Sequence, residues 1–555
     1  MLAFGGIALA QPPDLILQRG KIVTVDGKFR IAQALAIAGD RITAVGDLAS
    51  ISKLADPHTR VVDLRGRTVI PGLIDDHYHM LSKAVDQYLG VEVALVGSID
   101  EMLAAIRAKV GSAAPGEWVF TTSGWLPEQL KENRLPTRWD LDKVSPRNPV
   151  VVNGGHTYYL NSLGLKLAGI TKNTPSPSGG IIEKDHKTGE PTGLLIDNAV
   201  SLVNKLLPNC WECPGRIKHE QKIEALRIAM RKENSVGITS VREPGIIPED
   251  MRVYEELWNR GEMTLRVSMN LSLDPQKPPS VLAQQLGEWG VSTGFGNEFL
   301  RLDGIGEFGI DGGFEGALMT KPYAATAGRE EGYHGLQRIP TGNFDQAMLV
   351  FNRLNWRACP HVVGDQGIDL VLDAYERANQ DKPIARKRWL LEHCHYMRPD
   401  QIDRVRRLGL AISTQFHPYM AAATMIRHWG RERAGQSMRV RDWLRAGIRV
   451  GGGSDWSLVP ANPFWMIYFW VTRDTRLWGV LGPEQRISRE DALRLMTVNN
   501  AWLTFEENIK GSIEPGKLAD LVILSDDILT VPDTRIKEIK PLATMVGGKL
   551  VYGTI

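Results

Sequence analysis

The sequence predicts an α/β fold, a (β/α)8 TIM barrel carrying a small composite β-sandwich domain formed by both chain termini, and three observations lead there. Apolar strand candidates alternate with helical patterns through the middle of the chain. Both ends read as short strands separated by turns. The length, 555 residues, asks for more than one domain or for one barrel with additions.

Over 14–65, apolar and polar residues alternate between Gly-containing turns, as in Leu15-Ile16-Leu17-Gln18-Arg19-Gly20 and Ala36-Ile37-Ala38-Gly39-Asp40, which is strand patterning. Ala519-Asp520-Leu521-Val522-Ile523-Leu524 and Ala543-Thr544-Met545-Val546 repeat it within 508–555. Neither end buries a sheet face alone, so the two are expected to pair into one domain. Between them, strand candidates occur at 118–122, 150–152, 238–242, 265–271, 305–310, 357–363, 389–393, 410–414 and 448–452. Amphipathic helices follow several, for example at 367–379 and 398–408, with apolar residues at three- and four-residue spacing. This alternation over 66–507, with an insertion around 124–210, favours a closed parallel barrel. A doubly wound sheet is the rival, but no G-x-G-x-x-G opens the chain.

The composition, 43% hydrophobic and 23% charged, is that of a globular protein with a large core. Lys+Arg 66 against Asp+Glu 64 leaves a net charge of +2, which calls for neither nucleic acid nor an anionic surface. The basic clusters Arg386-Lys387-Arg388 and 404–407 are expected to be solvated helix faces. Cys210-Trp211-Glu212-Cys213 has knuckle or redox spacing, but no second pair completes a four-cysteine zinc site; a local disulfide stays open. Residues 1–10 are apolar and end in Ala8-Leu9-Ala10, a small-x-small cleavage pattern without the basic start of a signal peptide. Two readings stay open: the remnant of a signal peptide on a periplasmic or secreted protein, or an apolar start to a cytoplasmic one. No other segment has the ~20 apolar residues of a membrane span. The expected partner is a small-molecule substrate, and a homo-oligomer is left open.

The chemistry is carried by Val69-Ile70-Pro71-Gly72-Leu73-Ile74-Asp75-Asp76-His77-Tyr78-His79. On a strand, residues i and i+2 point the same way, so His77 and His79 are expected side by side, ready to share a cation. The C-terminal ends of barrel strands form the active site, and that rule selects further residues. His361, His393 and Asp455 each sit where an apolar strand candidate runs out. Nitrogen and oxygen donors of this mix suit a divalent metal, Zn2+ first, with Mn2+, Fe2+ or Co2+ by the same softness argument. Such a metal lowers the pKa of bound water from 15.7 to about 7, and Asp455 is placed to move the proton.

These residues resemble the amidohydrolase superfamily of metal-dependent hydrolases, and within it the amidohydrolase family 3 branch, over nearly the whole chain. The resemblance rests on Pro71 to His79, Gly237-Ile238-Thr239-Ser240-Val241, His361-Val362-Val363-Gly364-Asp365 and Arg388-Trp389-Leu390-Leu391-Glu392-His393-Cys394. It continues through Gly453-Ser454-Asp455-Trp456 with Asn462-Pro463, Gly511 to Val522, and the insertion running from Gly179-Gly180-Ile181 to Pro191-Thr192-Gly193. It implies a (β/α)8 barrel beside a composite β-sandwich, a metal site on His77, His79, His361, His393 and Asp455, and hydrolysis of an amide or other C–N bond outside peptides.

In many relatives a carboxylated lysine on the fourth barrel strand bridges two metals; here Gly306-Glu307-Phe308-Gly309 puts Glu307 at that place. The preferred reading makes Glu307 a ligand, because a buried carboxylate is costly unless paired or on a metal. The other is a mononuclear site on His77, His79, His361 and Asp455, with His393 bonding the water or substrate. His156, which the branch places near substrate, Glu243 and His417 at strand ends, and Trp125 and Trp456 as aromatic walls are the expected pocket residues, with Glu243 or His417 alternatively holding the tautomer of a metal-bound histidine. Three functions are weighed: a hydrolase with Asp455 as proton shuttle, a metal-dependent lyase or isomerase, and a metal-binding scaffold without catalysis. The intact set of His77, His79, His361, His393 and Asp455 argues against the scaffold.

Overall fold

The computed structural model describes residues 12–132, 134–155, 157–177, 180–210, 213, 215–324, 332–455 and 462–555. The apolar start, on which the two readings of residues 1–10 rest, lies outside the described residues.

Eight parallel strands form the central sheet: β1 (Leu73–Asp75), β2 (Ile238–Ile246), β3 (Arg266–Leu271), β4 (Leu300–Gly309), β5 (Ala358–Val362), β6 (Leu390–His393), β7 (Ala411–Gln415) and β8 (Arg449–Gly453). Each pairs with the next in chain order. Helices Asp365–Asp381 and Pro399–Arg407 match the expected ones. A (β/α)8 barrel is therefore the core of the molecule.

The seam between β8 and β1 is joined by a side chain. Asn500, in helix Val498–Leu503, donates from Nδ2 to Ile74 O (2.6 Å) and Gly452 O (2.8 Å), and accepts from Gly452 N at 3.0 Å. Asp76 N adds a bond to Gly452 O at 3.3 Å. The glycine run in β8 makes the approach feasible. A Cβ on Gly451 would lie 2.3 Å from Asp76 Oδ2, and one on Gly452 2.2 Å from the Trp470 ring.

Both termini build two further sheets. Leu15–Gln18, Ala34–Ala38, Arg41–Gly46 and Arg60–Asp63 make one of four strands; Lys21–Val23, Ile31–Ala32, Thr68–Pro71, Leu521–Leu524, Pro541–Val546 and Lys549–Gly553 make one of six. Leu17, Ile22, Leu35, Val69, Leu521 and Met545 meet in a common buried cluster. The apolar run 69–74 does not form one barrel strand. It divides at Gly72, whose N–H donates to Asp520 O (2.7 Å) while Leu73 N donates to Gly237 O (3.1 Å), so the chain steps from the six-stranded sheet into the barrel. A Cβ on Gly72 would lie 2.3 Å from Thr239 Oγ1.

Two expected barrel strands belong elsewhere. Val119–Phe120 and Val150–Asn153 lie in a five-stranded sheet with Thr157–Leu160, Gly180–Lys184 and Pro191–Asp197. Short apolar runs do not say which sheet they join. Cys210 and Cys213 are joined by a disulfide. The basic clusters are not simply solvated: Arg404 pairs with Asp373 (2.6 Å) and Glu376 (2.9 Å), and Arg388 pairs with Glu507 (2.6 Å) and stacks 4.1 Å from the Trp502 ring. Among the described residues no helix is long and apolar enough to cross a membrane.

Replacing Asn500 with alanine removes a side-chain partner from Ile74 O, Gly452 N and Gly452 O, the last of which keeps its bond from Asp76 N. Each unsatisfied group costs about 1–3 kcal/mol, so Asn500→Ala is expected to lose about 2 kcal/mol or more, read as a fall in the thermal unfolding midpoint by circular dichroism.

Candidate metal centre

The histidine pair is assembled by a turn, not by strand alternation. β1 ends at Asp75, so His77 and His79 lie beyond it, and His79 caps helix Met80–Leu89. The Asp75 carboxylate accepts from His77 N (3.2 Å) and Ser454 N (3.0 Å), and Tyr78 N donates to Arg242 O (3.0 Å). These bonds tie the turn to β2 and β8. The two rings end 5.3 Å apart, nearly perpendicular at 80°.

Glu307, in β4, stands among four imidazoles. Its Oε1 is 3.4 Å from His79 Nε2; its Oε2 is 3.0 Å from His393 Nε2, 3.5 Å from His77 Nε2 and 3.7 Å from His361 Nδ1. Asp455 Oδ1 is 3.4 Å from His79 Nε2 and 3.7 Å from His77 Nε2, and its Oδ2 is 3.3 Å from His417 Nε2. Donors about 2.1 Å from a tetrahedral ion lie about 3.4 Å apart, so this spacing suits a small divalent cation. His77 Nε2 supports the fit, being buried without a hydrogen-bond partner. Four donor sets overlap among the described residues: His77, His79 and Glu307; Glu307, His361 and His393; His77, His393 and Asp455; and His393, His395 and His417.

Electrostatics agree with cation binding. Burial alone would raise both carboxyls, yet His77 and His393 hold Glu307 well below the carboxylate range, and His417 and His79 do the same for Asp455. Burial would lower the imidazoles, but Asp455 and Glu307 lift His79 to about 10, and Glu307 lifts His393 to about 9. In the metal-free protein, protons on these rings balance the buried carboxylates, and metal binding would displace them.

Two side chains that sequence reasoning missed hold the histidines from behind. Glu392 Oε2 is 2.9 Å from His77 Nδ1, and Gln415 Oε1 is 2.6 Å from His393 Nδ1. The available signal for Glu392 was a charge directly after the apolar run Trp389-Leu390-Leu391 and before His393, still within the strand. His395 was also missed; it is buried, with Nε2 3.2 Å from His417 Nδ1 and its ring stacked 5.2 Å from Phe314.

Two expected pocket residues are placed elsewhere. Glu243 is 1% exposed and accepts from Leu81 N at 2.7 Å and from the Tyr254 hydroxyl, so its oxygens anchor the helix behind the histidine turn instead of facing substrate. Trp125 is 2% exposed. Its indole N–H donates to Asn153 O (2.8 Å) and its ring packs on Tyr159 (5.7 Å), inside the insertion's own core. His156 and Trp456 lie outside the described residues.

Residues 60–552 match the model of the amidohydrolase family, Amidohydro_3. The chain is 31% identical to Protein LONG AFTER FAR-RED 3 of Arabidopsis thaliana, over 97% of this chain and 91% of that protein. It is 27% identical to the N-substituted formamide deformylase of Arthrobacter pascens, over 98% of this chain and 99% of that enzyme. A crystal structure of an uncharacterized metal-dependent hydrolase from Pyrococcus horikoshii OT3 shares the fold with a TM-score of 0.73 at 23% identity, covering 94% of this chain and 99% of that one. With a family match across most of its length, on a barrel whose strand ends gather four histidines and two carboxylates, the chain belongs to the amidohydrolase family of hydrolases.

Proposed function

We propose that the protein is a metal-dependent amidohydrolase that cleaves an amide or other non-peptide C–N bond of a small molecule, with Zn2+ as the favoured cofactor. The observation that carries this reading is the Glu307 carboxylate, whose two oxygens face different imidazoles: Oε1 faces His79 at 3.4 Å and Oε2 faces His393 at 3.0 Å. A carboxylate so placed could serve two cations, which His77 and His79 on one side and His361 and His393 on the other would help to hold. Glu307 is thus read as a bridging ligand.

A divalent cation there would bring the pKa of a coordinated water from 15.7 to about 7 and polarise the substrate carbonyl. The protein's own groups do the rest. Asp455, with Oδ1 toward the histidine pair and Oδ2 toward His417, accepts the proton of the attacking water and returns it to the leaving nitrogen. His417 keeps that carboxylate oriented. The deformylase relative makes N-formyl and N-acyl amines, aromatic ones first, the substrates to screen.

Turnover of such an amide in heavy-oxygen water is expected to put the label in the acid product; turnover without incorporation would replace hydrolysis by lyase or isomerase chemistry. Asp455→Asn is expected to lower turnover by about 10²–10⁴-fold, with metal retained in elemental analysis. Removing the bridge in Glu307→Gln should reduce the bound metal from two ions per chain to one or none by the same measurement. A chelator should abolish turnover of the natural protein, and added Zn2+ should restore it.

A further inference from the structure

Below the histidines the barrel interior carries charge where aliphatic layers are usual. Arg242 and Glu392 are 0% exposed, Arg357 1% and Asp303 2%. Asp303 is taken by Arg357, whose Nη1 donates at 2.9 Å, and lies 3.7 Å from Arg242 Nη1. Glu392 differs in serving two partners at hydrogen-bond distance. Its Oε1 accepts from Arg242 Nη2 at 2.5 Å, and its Oε2 is 2.9 Å from His77 Nδ1.

Hydrogen-bond chemistry gives this chain a direction. An ionised carboxylate only accepts, so the hydrogen lies on His77 Nδ1, and Nε2 of a neutral ring is left as a lone pair. That Nε2 is buried, lacks a hydrogen-bond partner, and faces Glu307 at 3.5 Å and Asp455 at 3.7 Å. A buried carboxylate standing alone would be costly. The Arg242 guanidinium supplies the countercharge and fixes the oxygen that His77 uses.

We propose that Arg242 and Glu392 form a positioning pair that fixes the tautomer and orientation of His77, and through it sets the affinity of the histidine cluster for a divalent cation. The inference rests on the metal-dependent reading above. It assigns Glu392 a role separate from that of a counter-ion for Arg242, and the two roles make different predictions.

The test uses the full chain, stripped of metal and titrated with Zn2+ against a chromophoric chelator, with the visible absorption of the Co2+ form as a second readout. Glu392→Gln is expected to weaken Zn2+ binding by about 10–100-fold. Glu392→Asp keeps a carboxylate for Arg242 but draws the oxygen back from His77. It should lose affinity to a similar extent and shift the Co2+ bands, while the metal-free protein unfolds close to the natural temperature. In a His77→Ala background, Glu392→Gln should change the remaining affinity by less than about 2-fold, because the two residues act as one unit. Natural affinity and an unshifted Co2+ spectrum in Glu392→Asp would overturn the proposal, as would an equal loss with and without His77. If Glu392→Gln does not fold, Glu392→Asp carries the same comparison. A natural chain that binds neither Zn2+ nor Co2+ stoichiometrically would sink the metal reading itself, an outcome distinct from metal binding that ignores Glu392.

Discussion

The site depends on the closure of the barrel between β1 and β8. That seam holds the histidine turn and Asp455 side by side, although they come from opposite ends of the chain. The Asp75 carboxylate bonds the backbone of both His77 and Ser454, and Asp455 N donates to His77 O at 2.7 Å. With the strands joined through Asn500 in place of a regular ladder, side-chain hydrogen bonds carry what backbone pairing carries between the other strands. The glycine run of β8 follows from the same constraint, since any side chain there would occupy the space of Asp76 or Trp470.

A second constraint is electrostatic. Gathering carboxylates in a buried space is unfavourable unless each finds a positive partner. At the barrel mouth the partners of Glu307 and Asp455 are imidazoles, of which His79 and His393 are lifted by these carboxylates, and a cation can replace the protons those two carry. Deeper down the partners are the permanent charges of Arg242 and Arg357, which no metal need displace. The two layers meet at His77, which touches Glu392 with one nitrogen and faces the cluster with the other. A change at Arg242 can therefore reach the cluster without touching substrate.

Much of this was legible in the sequence because of where polar residues interrupt apolar runs. His361, His393 and Asp455 stand out as the points where buried strands meet a polar rim, and seven of the nine internal strand candidates form barrel strands. Three things were not legible. The runs at 118–122 and 150–152 look like any buried strand, and only pairing assigns them to the insertion's sheet. The run 69–74 gives no sign of its division except Gly72. Glu243 satisfies a rule about position at a strand end and Trp125 one about aromatic walls, but their hydrogen bonds point away from the site, and pattern alone does not give side-chain direction. Glu392 shows the reverse case, a residue whose burial demanded partners that only the folded barrel could name.

Glu307 on β4 faces four imidazoles with a short side chain. Its strand must therefore lie close to those that carry the other donors. Gly306 permits that approach. A Cβ there would lie 2.3 Å from Cys359 O and 2.9 Å from Cys359 Cβ on β5, so the missing side chain lets β4 and β5 press together just before Glu307. Gly306 and Glu307 therefore belong together: a larger residue at 306 would push apart the strands that carry Glu307 and His361, and a longer residue at 307 would overshoot the cluster that the close packing creates.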